Sequence, residues 1–151
     1  MSEIIDISGL TTIVDKYKSQ DKKIVLVHGC FDPFHQGHFE LLHYAKKLGV
    51  VFLGIDSDKS IKKIKGNTRP LNTLEQRIMV IKKKRLADII FVLEPKGTYS
   101  GYFRKLYKSL SPDFLVTADG EHLLKRKRDL MGLGTKLIVM KKKIFLVKPF
   151  A

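Results

Sequence analysis

The stretch Val25-Leu-Val-His-Gly-Cys-Phe-Asp-Pro-Phe-His-Gln-Gly-His38 contains the most informative pattern in the chain. It reads as an apolar strand that ends in glycine, a short turn, and a helix that opens with His35 and His38. A helix N-terminus carries backbone N–H groups without helical partners and a partial positive charge. Two histidines three residues apart at this junction face the same spot. The stretch therefore predicts a binding site for phosphate.

Strand and helix patterns alternate along the rest of the chain. Continuous apolar runs, typical of strands buried on both faces, predict strands at residues 24–28, 50–55, 89–93, 114–117 and 137–140, with a candidate edge strand at 144–147. Helical spacing predicts helices at residues 8–19 (with Ser8 as candidate N-cap), 36–48, 73–85, 99–110 and 121–131, and a short helical piece around Ile61 and Ile64. This alternation predicts an α/β protein, a Rossmann-like three-layer domain with a five-stranded, mostly parallel sheet. Ligands of such sheets bind outside the carboxyl ends of the strands, which is where the motif turn lies.

Size and charge limit the classes of function. With 151 residues the chain is most simply one domain, and its apolar runs are too short to span a membrane. A single cysteine and a start without a basic segment before an apolar core predict a cytoplasmic protein without a signal peptide. The formal net charge is +14, but the lysines are spread along the chain and aromatic residues are not interleaved with them. Solvated surfaces and attraction of anionic substrates explain this charge better than nucleic-acid binding does.

The histidines of the motif are the first candidate catalytic residues. His35 and His38 can donate hydrogen bonds to phosphate oxygens and can carry charge near neutral pH. Gly37 between them allows a phosphate or nucleotide to approach the backbone. A zinc site is excluded, because one cysteine and the histidine spacing do not supply a known ligand set. Cys30 is most simply a small buried residue.

The motif, read as Gly29-Cys-Phe-Asp-Pro-Phe-His-Gln-Gly-His38, resembles the G-x-F-D-x-x-H-x-G-H signature of the cytidylyltransferase-like, HIGH-type nucleotidyltransferases. The likeness covers roughly residues 23–120. It is most similar to adenylyltransferase domains that make ADP-heptose and to glycerol-3-phosphate cytidylyltransferases. Further matching segments are Ala45–Gly49, Gly54–Asp58, Lys65-Gly66, Arg69-Pro70, Glu75–Arg77, Ala87-Asp88 and Ser111–Val116.

The resemblance implies transfer of a nucleotidyl group from an NTP to a phosphorylated sugar or polyol, with release of pyrophosphate. ATP is favoured as donor and CTP comes next, with Mg²⁺ accompanying the triphosphate. A cytidylyltransferase that makes CDP-glycerol is a close alternative, and adenylylation of a flavin or pantetheine phosphate is a third. A non-catalytic nucleotide-binding protein is the alternative from another class. Relatives are commonly homodimers.

The resemblance also assigns site residues, each beside a plainer explanation. Lys65 stands among many lysines, Arg77 lies at the edge of an apolar helix face, and Arg85 belongs to a basic run. Arg69 either fixes loop shape or binds substrate, Asp32 orients the turn or assists a metal, and Asp56 is explained as a helix cap. The implied catalytic residues are His35, His38, Lys65 and Arg77. The implied nucleotide-binding residues are Gly29, Cys30, Phe31, Asp32, Gly37 and Asp119, and the candidate substrate-binding residues are Asp56, Arg69 and Arg85.

Two segments depart from the family pattern. After the fourth strand, relatives carry a Gly-Asp-Asp or Gly-Gly-Asp element, where this chain has Thr117-Ala-Asp-Gly120. Relatives also carry a Ser-Thr-Thr type motif on a C-terminal helix, and residues 141–151 contain no such motif. Three explanations stay open. Basic residues at Lys141–Lys143 substitute for the motif, a partner chain supplies it, or the protein binds nucleotide with weak catalysis.

Overall fold

The computed structural model describes residues 3–4, 6–120 and 122–141. Six strands and six α-helices are found there. The strands are β1 (Glu3–Ile4), β2 (Ile24–Gly29), β3 (Val50–Asp56), β4 (Ile89–Leu93), β5 (Phe114–Ala118) and β6 (Lys136–Met140). The helices are α1 (Leu10–Ser19), α2 (Gln36–Leu48), α3 (Asp58–Lys65), α4 (Leu74–Lys84), α5 (Tyr99–Leu110) and α6 (Leu123–Asp129), and a 3-10 turn at Ile7–Gly9 precedes α1.

The strands form one parallel sheet in the order β1-β4-β3-β2-β5-β6. After the edge strand β1, the chain enters the middle of the sheet with β2, builds outward through β3 and β4, and returns to add β5 on the other side of β2. Leu26 of β2 therefore pairs with both Phe52 and Leu115. The point where the strand order reverses lies between β2 and β5, and the motif turn leaves β2 there.

Helices cover both faces of the sheet and create two apolar cores. Alternate residues of β2 point to opposite faces, so Val25 and Val27 join one core and Ile24 and Leu26 the other. The first core includes residues of α2 and α4, and the second includes residues of α1 and α5. These strands are continuous apolar runs because each is buried on both sides. The predicted three-layer α/β fold is confirmed.

Three details differ from the predicted elements. The two-residue strand β1 pairs with β4 at the sheet edge and was not predicted, and every strand pairing is parallel. Ser8 does not cap the first helix, because Asp6 caps the 3-10 turn and accepts from the Ser8 N–H. Ser57, rather than Asp56, caps α3 by accepting from the Ser60 N–H at 3.0 Å. The candidate strand at residues 144–147 lies outside the described residues.

Most helix boundaries follow from local hydrogen bonds. Thr73 and Gln76 form a reciprocal capping box at the start of α4. Thr98 caps α5 by accepting from the Gly101 N–H at 3.1 Å. Within the described ranges, no helix is both long enough and apolar enough to cross a bilayer.

Candidate active site

His35 and His38 form a stacked pair at the N-terminus of α2. His35 is the N-cap residue, and its Nδ1 accepts a hydrogen bond from the Gly37 N–H at 3.0 Å. Nδ1 of His38 accepts from the His35 N–H at 3.2 Å. The two ring centroids are 3.7 Å apart and the ring planes differ by 21°. Because both Nδ1 atoms accept, each neutral ring carries its proton on Nε2, which is left to donate to a ligand.

The surroundings of both rings favour the neutral form. Burial, with the charges of His35 and Lys65, lowers the pKa of His38 to about 3. Burial also lowers the pKa of His35 below its usual value. The expectation that these histidines carry charge near neutral pH is therefore wrong for the ligand-free chain. They offer neutral N–H donors instead.

Gly37 has a structural role beside the histidine pair. A Cβ at Gly37 would lie 2.9 Å from Cε1 of His35, closer than real Cβ contacts. The absence of a side chain at Gly37 therefore allows the His35 ring to lie over the first turn of α2. Phe31 supports the pair from below, with its buried ring in edge contact with His38 at 5.0 Å between centroids. Gly29 ends β2, and a Cβ there would make only ordinary contact with Phe31.

Asp32 is the anchor of the motif turn. Its fully buried carboxylate accepts from the backbone N–H groups of Leu71 at 2.6 Å and Asn72 at 2.9 Å, and from Nδ2 of Asn72. Arg69 Nη2 donates to its carbonyl oxygen at 2.5 Å and forms an ion pair with its side chain. Burial alone would raise the pKa of Asp32, but these hydrogen bonds and the Arg69 charge outweigh burial and lower it. The predictions that Asp32 orients the turn and Arg69 fixes the loop agree with this geometry.

Arg77 is a second clamp on the same turn. The side chain is buried, and Nη1 donates to the carbonyl oxygens of Cys30 at 2.9 Å and Asp56 at 2.7 Å. Nε donates to the Asn72 carbonyl and Nη2 to Asp58 Oδ1. Four of the five N–H groups of a guanidinium are thus used by the protein. Arg77 did turn inward from the helix face, but as a positioning residue. Direct contact with phosphate stays a prediction.

Cys30, Asp56 and Lys65 meet beside the histidines. The Cys30 thiol donates to Asp56 Oδ2 at 3.2 Å. Burial and the Asp56 charge raise the pKa of Cys30 to about 11, so the thiol stays protonated at neutral pH. Burial raises the pKa of Asp56 despite opposing effects from Cys30, Arg77, Arg126 and Lys65. Lys65 ends α3, and its charge acts on His38, Cys30 and Asp56, which is the proximity that its predicted role requires.

A cluster that the sequence did not predict lies at the carboxyl end of β2. Arg126 of α6 places Nη1 at 3.0 Å from Nε2 of His28, which also lies 2.7 Å from the Tyr107 hydroxyl. His28 stacks on Phe103 at 4.6 Å. Burial and the Arg126 charge lower the pKa of His28, so the ring is neutral and its Nε2 accepts. In the sequence, Arg126 lies within the basic run Lys125–Arg128, where a seven-residue helix offers little periodicity to show which residue turns inward.

Two other predicted residues make no hydrogen bond or ion pair with this group in the described part of the chain. Asp119 directly follows β5, is exposed, and donates its N–H to the Met140 carbonyl at the outer edge of the sheet. Arg85 is the C-cap residue that follows α4, just before β4, at the edge where strands begin. At that edge the Asp88 N–H donates to the Val51 carbonyl. Within one chain, Arg85 is therefore on the side of the sheet away from the histidines, and its predicted substrate contact finds no support in this position.

No preformed metal cage is found in the described part of the chain, where no three His, Cys, Asp or Glu side chains come together as a set of metal ligands. Both carboxylate oxygens of Asp32 are used by protein donors. Where Mg²⁺ accompanies a nucleotide, phosphates and water would supply most of its ligands, since Mg²⁺ keeps several waters and needs only one or two protein carboxylates.

Comparison with known proteins places this geometry in a family. The profile described as cytidylyltransferase-like matches residues 26–147, which contain the motif turn, the Asp32 anchor and the clamp of Arg77. The chain belongs to the cytidylyltransferase-like family. The predicted family is confirmed, and with it the prediction of an enzyme of the nucleotidyltransferase type.

Several relatives that match the chain share one name, bifunctional protein HldE. The bifunctional protein HldE of Wolinella succinogenes is 32% identical over 114 residues, which are 75% of this chain and 23% of that protein. HldE of Blochmanniella pennsylvanica is 36% identical over 121 residues, 80% of this chain and 24% of the relative. HldE of Campylobacter jejuni subsp. doylei is 39% identical over 100 residues, which are 66% of this chain and 21% of the relative. The chain spans less than a quarter of the length of these relatives.

Solved structures agree on the fold. A lipopolysaccharide core biosynthesis protein from Thermoplasma volcanium aligns with a TM-score of 0.61 and 22% identity, over 82% of this chain and 99% of that one. Pantoate-beta-alanine ligase from Francisella tularensis aligns with a TM-score of 0.72 and 21% identity, over 97% of this chain and 69% of that one. At these identities the likeness shows the fold alone, and it confirms the Rossmann-like architecture.

Proposed function

We propose that the chain transfers a nucleotidyl group from a nucleoside triphosphate to the phosphate of a sugar or polyol, releasing pyrophosphate. The observation that carries this proposal is the stacked pair of neutral imidazoles, His35 and His38, whose Nε2 donors are free at a helix N-terminus. The pair is placed at the switch point of a parallel sheet, where α/β proteins bind nucleotides.

The chemistry requires alignment and charge stabilisation more than proton transfer. An oxygen of the acceptor phosphate attacks the α-phosphorus, and the bond from that phosphorus to the bridging oxygen breaks as pyrophosphate leaves. The attacking oxygen is already ionised, so no strong general base is needed. Negative charge grows on the oxygens of the α-phosphorus, and the Nε2 donors of His35 and His38 stabilise it there. Lys65 adds a positive charge from the end of α3.

The choice of substrates rests on similarity. The likeness to adenylyltransferase domains that make ADP-heptose favours ATP as donor and a phosphorylated heptose as acceptor, and relatives that match the chain share the name bifunctional protein HldE. CTP with glycerol 3-phosphate is the second candidate, through the likeness to glycerol-3-phosphate cytidylyltransferases. Bound Mg²⁺ would neutralise part of the triphosphate charge. We also propose, on the resemblance alone, a cytoplasmic homodimer.

The test is release of pyrophosphate from ATP, CTP, GTP and UTP, each paired with heptose 1-phosphate and glycerol 3-phosphate. We expect one pair to turn over, and His38→Ala to lower kcat by about 100- to 1000-fold, as for the loss of one charge-stabilising donor. His43→Ala is the matched control, since His43 is exposed farther along α2. Binding of an NTP without turnover of any pair would favour a non-catalytic nucleotide-binding protein. No NTP binding would overturn the proposal.

A further inference from the structure

A small cavity of about 250 Å³ lies between α3, α5 and α6. Tyr99 and His122 belong to helix beginnings that follow the carboxyl ends of β4 and β5, so the cavity opens on the same side of the sheet as the histidine pair. Pockets for drug-sized ligands usually measure about 300–1,000 Å³. This cavity suits a smaller molecule. Its lining residues are Ile64, Tyr99, His122, Lys125, Arg126 and Asp129.

Two buried polar atoms near this cavity have no hydrogen-bond partner among the described residues: Oδ1 of Asp56 and Nε of Arg126. Asp56 is only 5% exposed. Arg126 lines the cavity, and its partner His28 pairs in the sheet with Gly54, two residues before Asp56. Buried polar atoms without partners are rare, because leaving one unpaired is costly. Their presence together indicates a place that a ligand completes.

The free atoms of Arg126 form the edge that binds oxyanions. His28 and Tyr107 hold Nη1 in place, so the guanidinium is fixed from one side. The opposite edge, made of Nε and Nη2, is the fork that binds a phosphate with two parallel hydrogen bonds. The same lining carries the cation of Lys125 beside the Asp129 carboxylate, so with Arg126 it holds two cations and one anion.

Asp56 and Arg126 do not satisfy each other. Asp56 Oδ2 is held by the Cys30 thiol, and no ion pair joins the carboxylate to Arg126 among the described residues. A carboxylate repels an isolated phosphate, whereas it accepts strongly from a hydroxyl. A ligand that uses both free atoms therefore carries a phosphate for Arg126 and a hydroxyl for Asp56. That is the chemistry of a phosphorylated polyol.

We propose that this cavity binds the acceptor, with the Nε–Nη2 edge of Arg126 on its phosphate and Oδ1 of Asp56 accepting from a neighbouring hydroxyl. The inference rests on the proposed function and names its acceptor site. Arg126 is then a binding residue that aims the attacking phosphate, and Asp56 selects acceptors that carry a hydroxyl.

The experiment separates acceptor binding from nucleotide binding. Asp56→Asn keeps the side-chain shape but removes the charge, and Arg126→Lys keeps the charge but removes the fork. Arg128→Lys is the matched control, because Arg128 is exposed on the same helix. KM for heptose 1-phosphate or glycerol 3-phosphate, whichever the wild type uses, is measured beside calorimetric affinity for a non-hydrolysable NTP. Thermal melting checks that each variant folds.

We expect the KM of the acceptor to rise about tenfold or more in Asp56→Asn and Arg126→Lys, as for loss of a hydrogen bond to a charged group. NTP affinity should stay within about twofold, and Arg128→Lys should match the wild type. An unchanged acceptor KM in both folded variants, or an equal loss of NTP affinity, overturns the inference while leaving the proposed function intact.

Absence of turnover in the wild type would instead count against the proposed function. The cavity is then tested by direct calorimetric binding of heptose 1-phosphate and glycerol 3-phosphate. Binding to the wild type that is lost in Arg126→Lys supports the site, and no binding overturns it.

Discussion

The two sides of the motif turn differ in charge and in how many of their hydrogen-bonding groups the protein itself uses. On one side His35 and His38 are neutral, stacked on each other, and hold Nε2 donors free for a ligand. On the other side Asp32 and Arg77 are charged and buried, and nearly all of their hydrogen-bonding capacity is used by the protein itself. The same short turn thus joins a side with free donors to a side with almost none.

Asp32 and Arg77 therefore hold the turn, whereas His35 and His38 keep donors for a ligand. Asp32 and Arg77 connect the turn to the loop at residues 69–72 and to the end of β3, and these contacts fix the positions of the histidines. Chemistry tolerates little displacement, since misplacement by about 1 Å can lower a rate on the order of 100-fold. A rigid buried network is therefore what allows two neutral rings to act as aligned donors.

Replacement of Arg77 tests the buried side and has the largest expected effect. Arg77→Met leaves the carbonyl oxygens of Cys30, Asp56 and Asn72 without their donor. We expect the free energy of unfolding to fall by about 3–5 kcal/mol, as for breaking a buried charged network. Urea denaturation measures this change. The control Lys83→Met, on an exposed position of α4, should stay within about 0.5 kcal/mol of the wild type.

The opposite result for Arg77 would also be informative. A stability loss below about 1 kcal/mol together with a large loss of activity would make Arg77 a ligand of phosphate rather than a clamp. The buried side would then share the role of the histidines, and the contrast between the two sides would disappear.

Much of the fold was predictable because its signals are local. The strands β2, β3 and β4 are continuous apolar runs, and the capping box of Thr73 and Gln76 marks the start of α4. Strand β1 was missed because a two-residue strand has no periodicity and exists only through its pairing with β4.

The sequence indicated which residues form most of the site, but not their protonation states or hydrogen-bond partners. The motif spacing indicated His35 and His38, yet their neutrality depends on burial and on tautomers fixed by neighbouring N–H groups, which no local pattern contains. The apolar face of α4 indicated that Arg77 turns inward, but its acceptors come from residues 19 to 47 positions away along the chain, apart from Asn72. Arg126 was missed because its partners His28 and Tyr107 are likewise distant in sequence.

The pH dependence of stability tests the neutrality of the histidine side. The pKa of His38 is about 3 in the folded chain, against an ordinary value of 6.5. Between these pH values the unfolded chain binds a proton at this residue that the folded chain does not. Stability from this residue is therefore full above pH 6.5 and falls as the pH is lowered, by up to about 1.4 kcal/mol per pH unit.

The measurement for His38 is urea denaturation from pH 7.5 to 4.5, with the wild type beside His38→Gln. Glutamine does not titrate, so the variant should lose less stability than the wild type as the pH falls. His43→Gln is the control and should keep the wild-type slope, since His43 is exposed. Parallel curves for wild type and His38→Gln would mean that His38 is protonated in the folded chain, and the histidine side would then be charged.

The smallest expected effect on stability concerns two glycines at matching positions, Gly37 on the histidine side and Gly101 in α5. A Cβ at Gly37 would lie 2.9 Å from the His35 ring, and a Cβ at Gly101 would lie 2.6 Å from the Oγ1 of Thr98. Each glycine thus donates its N–H to the cap residue of its helix and leaves room for that side chain. In Gly37→Ala and Gly101→Ala alike, the lost cap (about 1 kcal/mol) is largely offset by the higher helix propensity of alanine. Chemical denaturation should therefore show changes below about 1 kcal/mol in both.

Only Gly37→Ala should also lower kcat, by about tenfold or more, because it displaces the His35 ring from its stack with His38. Equal activity in the two variants would show that the stacked arrangement is not needed for turnover, and that His38 alone provides the donor.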